Sequence, residues 1–252
     1  MLKKLIKAVS FLLLAVPFLL LLVLSFFSFP QQDDFVLSQF HRPDGFWGLQ
    51  KWVYFNNTGR YTSTFIGALF SIDDFLYTNY YLHSWMLLLL HFLSNYYFIS
   101  RVIKYLVGRE SNFFETASYS LIFFYVTANG FPLTVDSLFW FSSAVTYHVP
   151  VIVLLMLFSL IIDFLFKPSR LIFLLITFCV VVINGTNEFM ALFVSIGACV
   201  FGLIAIKNKV ITWAQFATLC VVTGVSLFFL MLAPGINVRQ DLMPTFNFFY
   251  SM

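Results

Sequence analysis

Residues 8–29 read AVSFLLLAVPFLLLLVLSFFSF, an uncharged run of 22 residues. As an α-helix at roughly 1.5 Å per residue this run is about 33 Å long, enough to cross a hydrocarbon core of about 30 Å. Lys3, Lys4 and Lys7 precede it like the basic end of a signal peptide. A cleavage site would need small residues, and Phe27 and Phe29 stand there instead, so the run is expected to remain as a first transmembrane helix. Comparable apolar runs recur at about 84–100, 113–128, 143–166, 171–183, 189–206 and 211–233, which predicts an all-α polytopic bundle of about seven spans. Residues 1–252 then form a single integral membrane domain. Composition agrees: 61% of residues are hydrophobic, 21% aromatic and only 10% charged. That excludes a soluble globule, a disordered chain and a disulfide scaffold. Cys179, Cys199 and Cys220 lie far apart inside apolar runs and read as packing residues.

The basic residues orient the bundle, because cytoplasmic loops carry the Lys and Arg excess. With the N-terminus inside, ten of the fourteen fall on the inner side: Lys3, Lys4, Lys7, Arg101, Lys104, Arg109, Lys167, Arg170, Lys207 and Lys209. Eight of the eleven acids fall on the outer side: Asp33, Asp34, Asp44, Asp73, Asp74, Asp136, Glu188 and Asp241. Any chemistry is therefore expected on the outer face. The net charge of +3 lies mostly in the inner loops, and nothing in it points to nucleic acid.

The first outer loop, residues 30–82, is the largest extramembrane segment, and residues 234–252 form an outer tail. Within the loop, Tyr61 to Ile72 is apolar but too short to span, with Tyr61, Phe65 and Leu69 on one helical face, so a helix lying along the interface is expected. Tyr77, Tyr80, Tyr81 and Trp85 read as an aromatic belt opening the second span. The fifth span, Leu171 to Ile183, is about 10 Å short of the core thickness. The break after it, Asn184-Gly-Thr-Asn-Glu188, should therefore dip below the outer surface, where irregular backbone survives only if protein buries it or it lines a wet cavity.

Several side chains at this level carry chemistry. Asp33 and Asp34 follow the first helix by a few residues and can take a proton from a hydroxyl, or hold a divalent cation such as Mg or Mn, at headgroup depth. Asp73 and Asp74 are a rival pair better explained as helix caps. Arg60 and Arg239 also reach headgroup depth, where a guanidinium can grip a phosphate through two parallel hydrogen bonds. Glu188 sits where an ionised group is costly and usually serves a site. Trp140, Tyr147 and His148 suit contacts to a sugar or lipid head, with Asn187 beside them. His91 and Asn95, four apart in the second span, read as interhelical hydrogen-bonding residues. No zinc spacing, phosphate loop, dinucleotide glycine pattern or HExxH motif occurs.

Taken in order, these elements resemble the GT-C superfamily of polytopic glycosyltransferases, and within it a bacterial family with five ordered motifs. Here they stand as Asp33-Asp34-Phe35, Gly59-Arg60-Tyr61, the stretch from Trp140 to Tyr147, Asn187-Glu188, and Ala233-Pro234-Gly235 with Arg239. The resemblance implies an enzyme of the bacterial cytoplasmic (inner) membrane, N-terminus cytoplasmic and active face extracytoplasmic. Its donor would be a polyprenyl-phosphate-linked sugar and its acceptor a cell-envelope glycan, lipid or protein. Asp33 or Asp34 would act as catalytic base, and Arg60 or Arg239 would steady the departing phosphate. Family members usually have more helices than the seven read here, which implies a fragment or minimal form, and the segment from Thr245 to Tyr250 reads as the start of an eighth span. The competing classes are a transporter or flippase of lipid-linked envelope precursors, which wants the same outer arginines and broken helix, and a structural subunit.

Overall fold

The computed structural model describes residues 2–70, 78–131 and 133–242, and their side chains except those of residues 2–5, 32, 36–44 and 239–242. Asp73, Asp74, Tyr77 and the aromatic tail at 245–250 lie outside the described residues, as does the Arg239 side chain.

The described chain is all-helical. The elements are α1 (Leu2–Leu24), α2 (Gln32–Asn56), α3 (Tyr61–Leu69), α4 (Tyr81–Arg101), α5 (Phe113–Asn129), α6 (Thr134–Phe139), α7 (Phe141–Phe166), α8 (Arg170–Asn184), α9 (Glu188–Lys207), α10 (Trp213–Met231) and α11 (Pro234–Leu242). Five stretches are long and apolar enough to cross a membrane: Ile6–Phe27, Tyr81–Leu106, Phe141–Phe166, Glu188–Lys207 and Trp213–Val238. They mark an integral membrane protein. The other two expected spans, α5 and α8, are apolar helices of 17 and 15 residues. At about 1.5 Å per residue both fall short of a 30 Å core.

The bundle has two halves that share α7. In one half α1, α4 and α5 meet α7 around Phe18, Leu88, Leu121 and Phe124. In the other, α8 packs on the C-terminal part of α7, and α9 and α10 close on α8, around Phe164, Phe173, Ile176 and Leu219. Outward-facing apolar side chains, such as Leu13 at 69% and Phe189 at 78% exposure, would make a soluble protein aggregate and instead suit a lipid surround.

The first outer loop differs most from the sequence expectation. Much of it is helix: α2 begins right after Pro30 and Gln31, with Asp33 and Asp34 in its first turn, and bends at Gly45, whose φ of 67° a side chain would resist. Acids in a first turn favour the positive end of a helix, so the pair is a start signal as much as a chemical one. α3 appears where expected, but it is tucked in rather than lying free on the surface: Thr64, Gly67 and Ala68 are buried, and it packs on α2, α7 and α8. Of the expected aromatic belt, Tyr80 is buried, while Tyr81 packs tilted and Trp85 edge-on against Phe26, with the Trp85 indole N–H donating to the Leu22 carbonyl at 2.8 Å.

Candidate functional site

The break between α8 and α9 organises the end of the bundle that carries the residue 30–80 segment. Its residues Asn184, Thr186 and Asn187 are buried: Asn184 donates to Ser195 of α9 and Ser226 of α10, the Thr186 carbonyl accepts from Ser63 of α3, and Asn187 reaches α7. The Gly185 carbonyl accepts the Thr62 N–H at 2.8 Å and the Ser63 N–H at 3.3 Å, so it caps the N-terminus of α3 from outside the helix. A Cβ on Gly185 would lie 2.2 Å from Thr62 Oγ1, which is why this position is glycine. Tyr61 donates to the Val181 carbonyl at 2.8 Å, and burial pushes its phenol up to about 12. Asn187 does two jobs. Its Oδ1 caps α9 by accepting the Met190 N–H at 2.9 Å, and its Nδ2 donates to the Thr146 carbonyl at 2.8 Å. That carbonyl is free because its usual partner, four residues on, is Pro150, which has no N–H.

Arg60 precedes α3 and Glu188 opens α9, so the same junction brings them together. The guanidinium meets the carboxylate side-on, Nε to Oε1 at 3.1 Å and an Nη to Oε2 at 2.8 Å. A two-point pair of this kind is stronger and more directional than a single contact. The pair is partly exposed, with side-chain exposures of 24% for Arg60 and 36% for Glu188. We expect Arg60→Ala and Glu188→Ala each to cost about 1–3 kcal/mol, and the double variant less than their sum. A thermal-unfolding double-mutant cycle checks this, and additive losses would mean the pair contributes nothing as a pair.

The opposite wall of the loop is the junction of α10 and α11. Gly59 lies so close to it that a Cβ would come 2.2 Å from the Leu230 carbonyl oxygen, and a Cβ on Gly235 would come 2.4 Å from the Asn57 nitrogen. Three sequence motifs, around Gly59-Arg60-Tyr61, Asn187-Glu188 and Ala233-Pro234-Gly235, thus meet at one place through glycine contacts.

The two neighbouring acids part company. Asp34 is 1% exposed and its oxygens are fully engaged. Oδ1 accepts from the Ser142 N–H at 3.0 Å and the Ser142 hydroxyl at 2.6 Å, and Oδ2 accepts from the Tyr80 hydroxyl at 2.7 Å and the Gln31 N–H at 3.0 Å. The Tyr80 oxygen in turn accepts the Phe141 N–H at 2.9 Å. Asp34 therefore caps α7 from a distance, where the local N-cap residue Trp140 makes no side-chain cap. Burial, then the Asp34 charge, push the Tyr80 phenol upward, so it stays a donor. A carboxylate so occupied has no lone pair placed for a cation or a substrate hydroxyl. Asp33 is exposed and supplies the accessible carboxylate of the pair. Among the described residues no group of three or more His, Cys, Asp and Glu side chains is placed to hold a metal.

Along α3 runs an apolar groove of about 1210 Å³. Its walls are Phe55 of α2, Phe65 and Ile66 of α3, Val149 and Val153 of α7, Phe178 and Val181 of α8, and Val225 and Phe229 of α10. At about 1.5 Å per residue, Asp34's partner Ser142 and Asn187's partner Thr146 are roughly 6 Å apart along α7, so Asp34 and Asn187 border the same helix start. The groove's polar end includes Thr58, Tyr61 and Thr62, next to Arg60, and among the described residues Lys51 is its one charged lining residue. Lys51 was not singled out from sequence, and only the fold of α2 over α3 shows its place. Trp140, Tyr147 and His148 do not line the groove. Trp140 stands at the start of α7, Tyr147 is 37% exposed, and His148 is fully buried against His91.

No family model matches the chain, and neither does any curated protein or solved structure.

Proposed function

We propose that the protein is an extracytoplasmic glycosyltransferase that moves a sugar from a polyprenyl-phosphate carrier to a cell-envelope acceptor. The supporting observation is the groove: about 1210 Å³ is larger than the roughly 300–1,000 Å³ that suits a compact ligand, its walls are almost wholly apolar, and its polar end at Thr58, Tyr61 and Thr62 flanks Arg60, which pairs with Glu188. A long hydrocarbon tail fills such a space while its phosphate stays at the polar end. In this reading Asp33 takes the proton of the acceptor hydroxyl as that oxygen attacks the anomeric carbon. The bond to the carrier phosphate breaks, and the phosphate leaves with its charge. Glu188 holds Arg60 in place, and the guanidinium donors not used in the pair steady the departing phosphate. In this reading the chain crosses a bacterial inner membrane seven times, α5 and α8 included, and the Lys and Arg bias of the alternate loops supports Asp33, Arg60 and Glu188 sharing the outer face.

The test is a single substitution. Asp33→Asn should abolish transfer of labelled sugar from polyprenyl-phosphate sugar in membranes while leaving expression and melting temperature unchanged. Full activity in Asp33→Asn would remove the base from this position. Carrier movement across vesicles with no bond formed in the wild type would replace the transferase by a flippase.

A further inference from the structure

The groove along α3 is open on its side. Phe55 of α2, Phe65 of α3, Phe178 of α8 and Val225 and Phe229 of α10 line it and are all exposed, while Val149 of α7 is buried at its depth. Exposed apolar side chains around a groove in a membrane protein face lipid, so the occupant enters sideways from the bilayer. Along α10 the lining runs from Phe229 to Val221, about 12 Å at 1.5 Å per residue, which is less than half of a hydrocarbon core of about 30 Å. The groove therefore holds the part of one lipid chain that lies next to its headgroup.

α2 turns one line of side chains to this groove: Trp47, Lys51, Tyr54 and Phe55, then Thr58 just past the helix end, at spacings of three and four residues. Trp, Tyr and Lys are the side chains that settle at headgroup level, with an apolar body inward and a polar tip in the wet layer. Lys51 is exposed and has no ion-pair partner among the described residues. Arg60, beside the polar end, is different, because Glu188 already matches its charge. Lys51 is thus the unmatched positive charge that the described lining presents. It stands about 8 Å along the helix axis from Asn56, the last residue of α2, and a flexible four-carbon stem can carry its ammonium across much of that gap toward Thr58.

We propose that Lys51 is the headgroup anchor of the groove, its ammonium holding the phosphate of an isoprenoid lipid whose first stretch of chain lies along α10. The inference deepens the transferase reading and rests on the carrier occupying the groove. Charge counting favours it. A phosphodiester joining sugar to lipid brings one negative charge, Lys51 supplies one positive charge, and the Arg60–Glu188 pair adds none. The contact is a charge-assisted hydrogen bond of the stronger kind. A lipid alcohol leaves Lys51 unmatched, and inorganic phosphate has no chain to bury, so the site should take either one far more weakly than a lipid phosphate.

The test is equilibrium binding of radiolabelled farnesyl phosphate to the full chain in phosphatidylcholine nanodiscs, with protein-free discs as the blank. Wild-type discs should bind it saturably, and unlabelled farnesol or inorganic phosphate should displace it poorly. Lys51→Met should weaken binding about tenfold with the melting temperature unchanged, and Lys51→Arg should restore most of it. Lys207→Met removes the same charge at the far end of α9 and should bind like the wild type. Undiminished affinity in Lys51→Met would reduce Lys51 to an interfacial anchor and overturn the proposal. So would an equal loss in Lys207→Met, or displacement by inorganic phosphate as effective as by farnesyl phosphate itself. Wild-type discs that bind no more than the blank would take the carrier out of the groove altogether. Saturable, Lys51-dependent binding in a chain that transfers no sugar would support the anchor and remove the transferase alone.

Discussion

Asp34→Ala is expected to cost about 3 kcal/mol or more and to leave little folded protein after extraction in detergent. The Ser142 amide and hydroxyl, the Tyr80 hydroxyl and the Gln31 amide all donate to this one buried carboxylate, and removing it strands several donors at once. It also removes the negative charge at the start of α7, the helix both halves of the bundle share. Asp34→Asn keeps one acceptor oxygen but turns an NH₂ group toward hydroxyls that were donating, so it should lose about 2 kcal/mol. Asp33→Asn, one residue away and exposed, should stay within about 0.5 kcal/mol of wild type. Thermal unfolding in detergent, followed by gel filtration, reads all three. Equal losses at the two positions would contradict the division of labour seen here. An Asp33/Asp34 double variant would lose activity through the fold alone, so only the single Asp33 substitution speaks to chemistry.

The second large effect is at the glycines where the loop meets the end of α10. Gly59→Val places its Cβ 2.2 Å from a backbone carbonyl and 2.8 Å from the Ala233 Cβ, with no flexible side chain to give way. Overpacking of this kind costs about 1–3 kcal/mol, and against fixed backbone the upper end applies. Gly235→Val, 2.4 Å from the Asn57 nitrogen, should do the same from the other side. Both would lift the segment carrying Arg60 off its seat, so melting temperature and any Arg60-dependent activity should fall together. Gly224→Ala is the control. Its Cβ would meet nothing within 4 Å, and within α10 the change should be neutral or stabilising by up to about 1 kcal/mol. A Gly59→Val protein that melts like the wild type would show that the loop is not clamped there.

The sequence by itself determined that the chain is helical and bound to a membrane, because long uncharged runs leave few alternatives once the backbone must satisfy its hydrogen bonds without water. It also located most helices within a few residues: α3, α5, α8 and α9 appear close to where hydrophobic runs and breaks placed them. The break at Asn184 to Asn187 was legible for the same reason, since so short an apolar helix ends below the surface of a hydrocarbon core and its end must be covered. α2 was not read as a helix, although Asp33 and Asp34 after Pro30 are a start signal, because its apolar residues form no strong stripe and its bend at Gly45 interrupts the period. Which acid is buried, where Arg60 spends its charge, and that Lys51 borders a lipid-sized groove depend on contacts between residues far apart in the chain. Asp33 and Asp34 are chemically the same and differ by one position on a helix, about 100° around it. That rotation turns one toward Ser142 and Tyr80 and the other toward water, and only the packing of α2 against the start of α7 decides which.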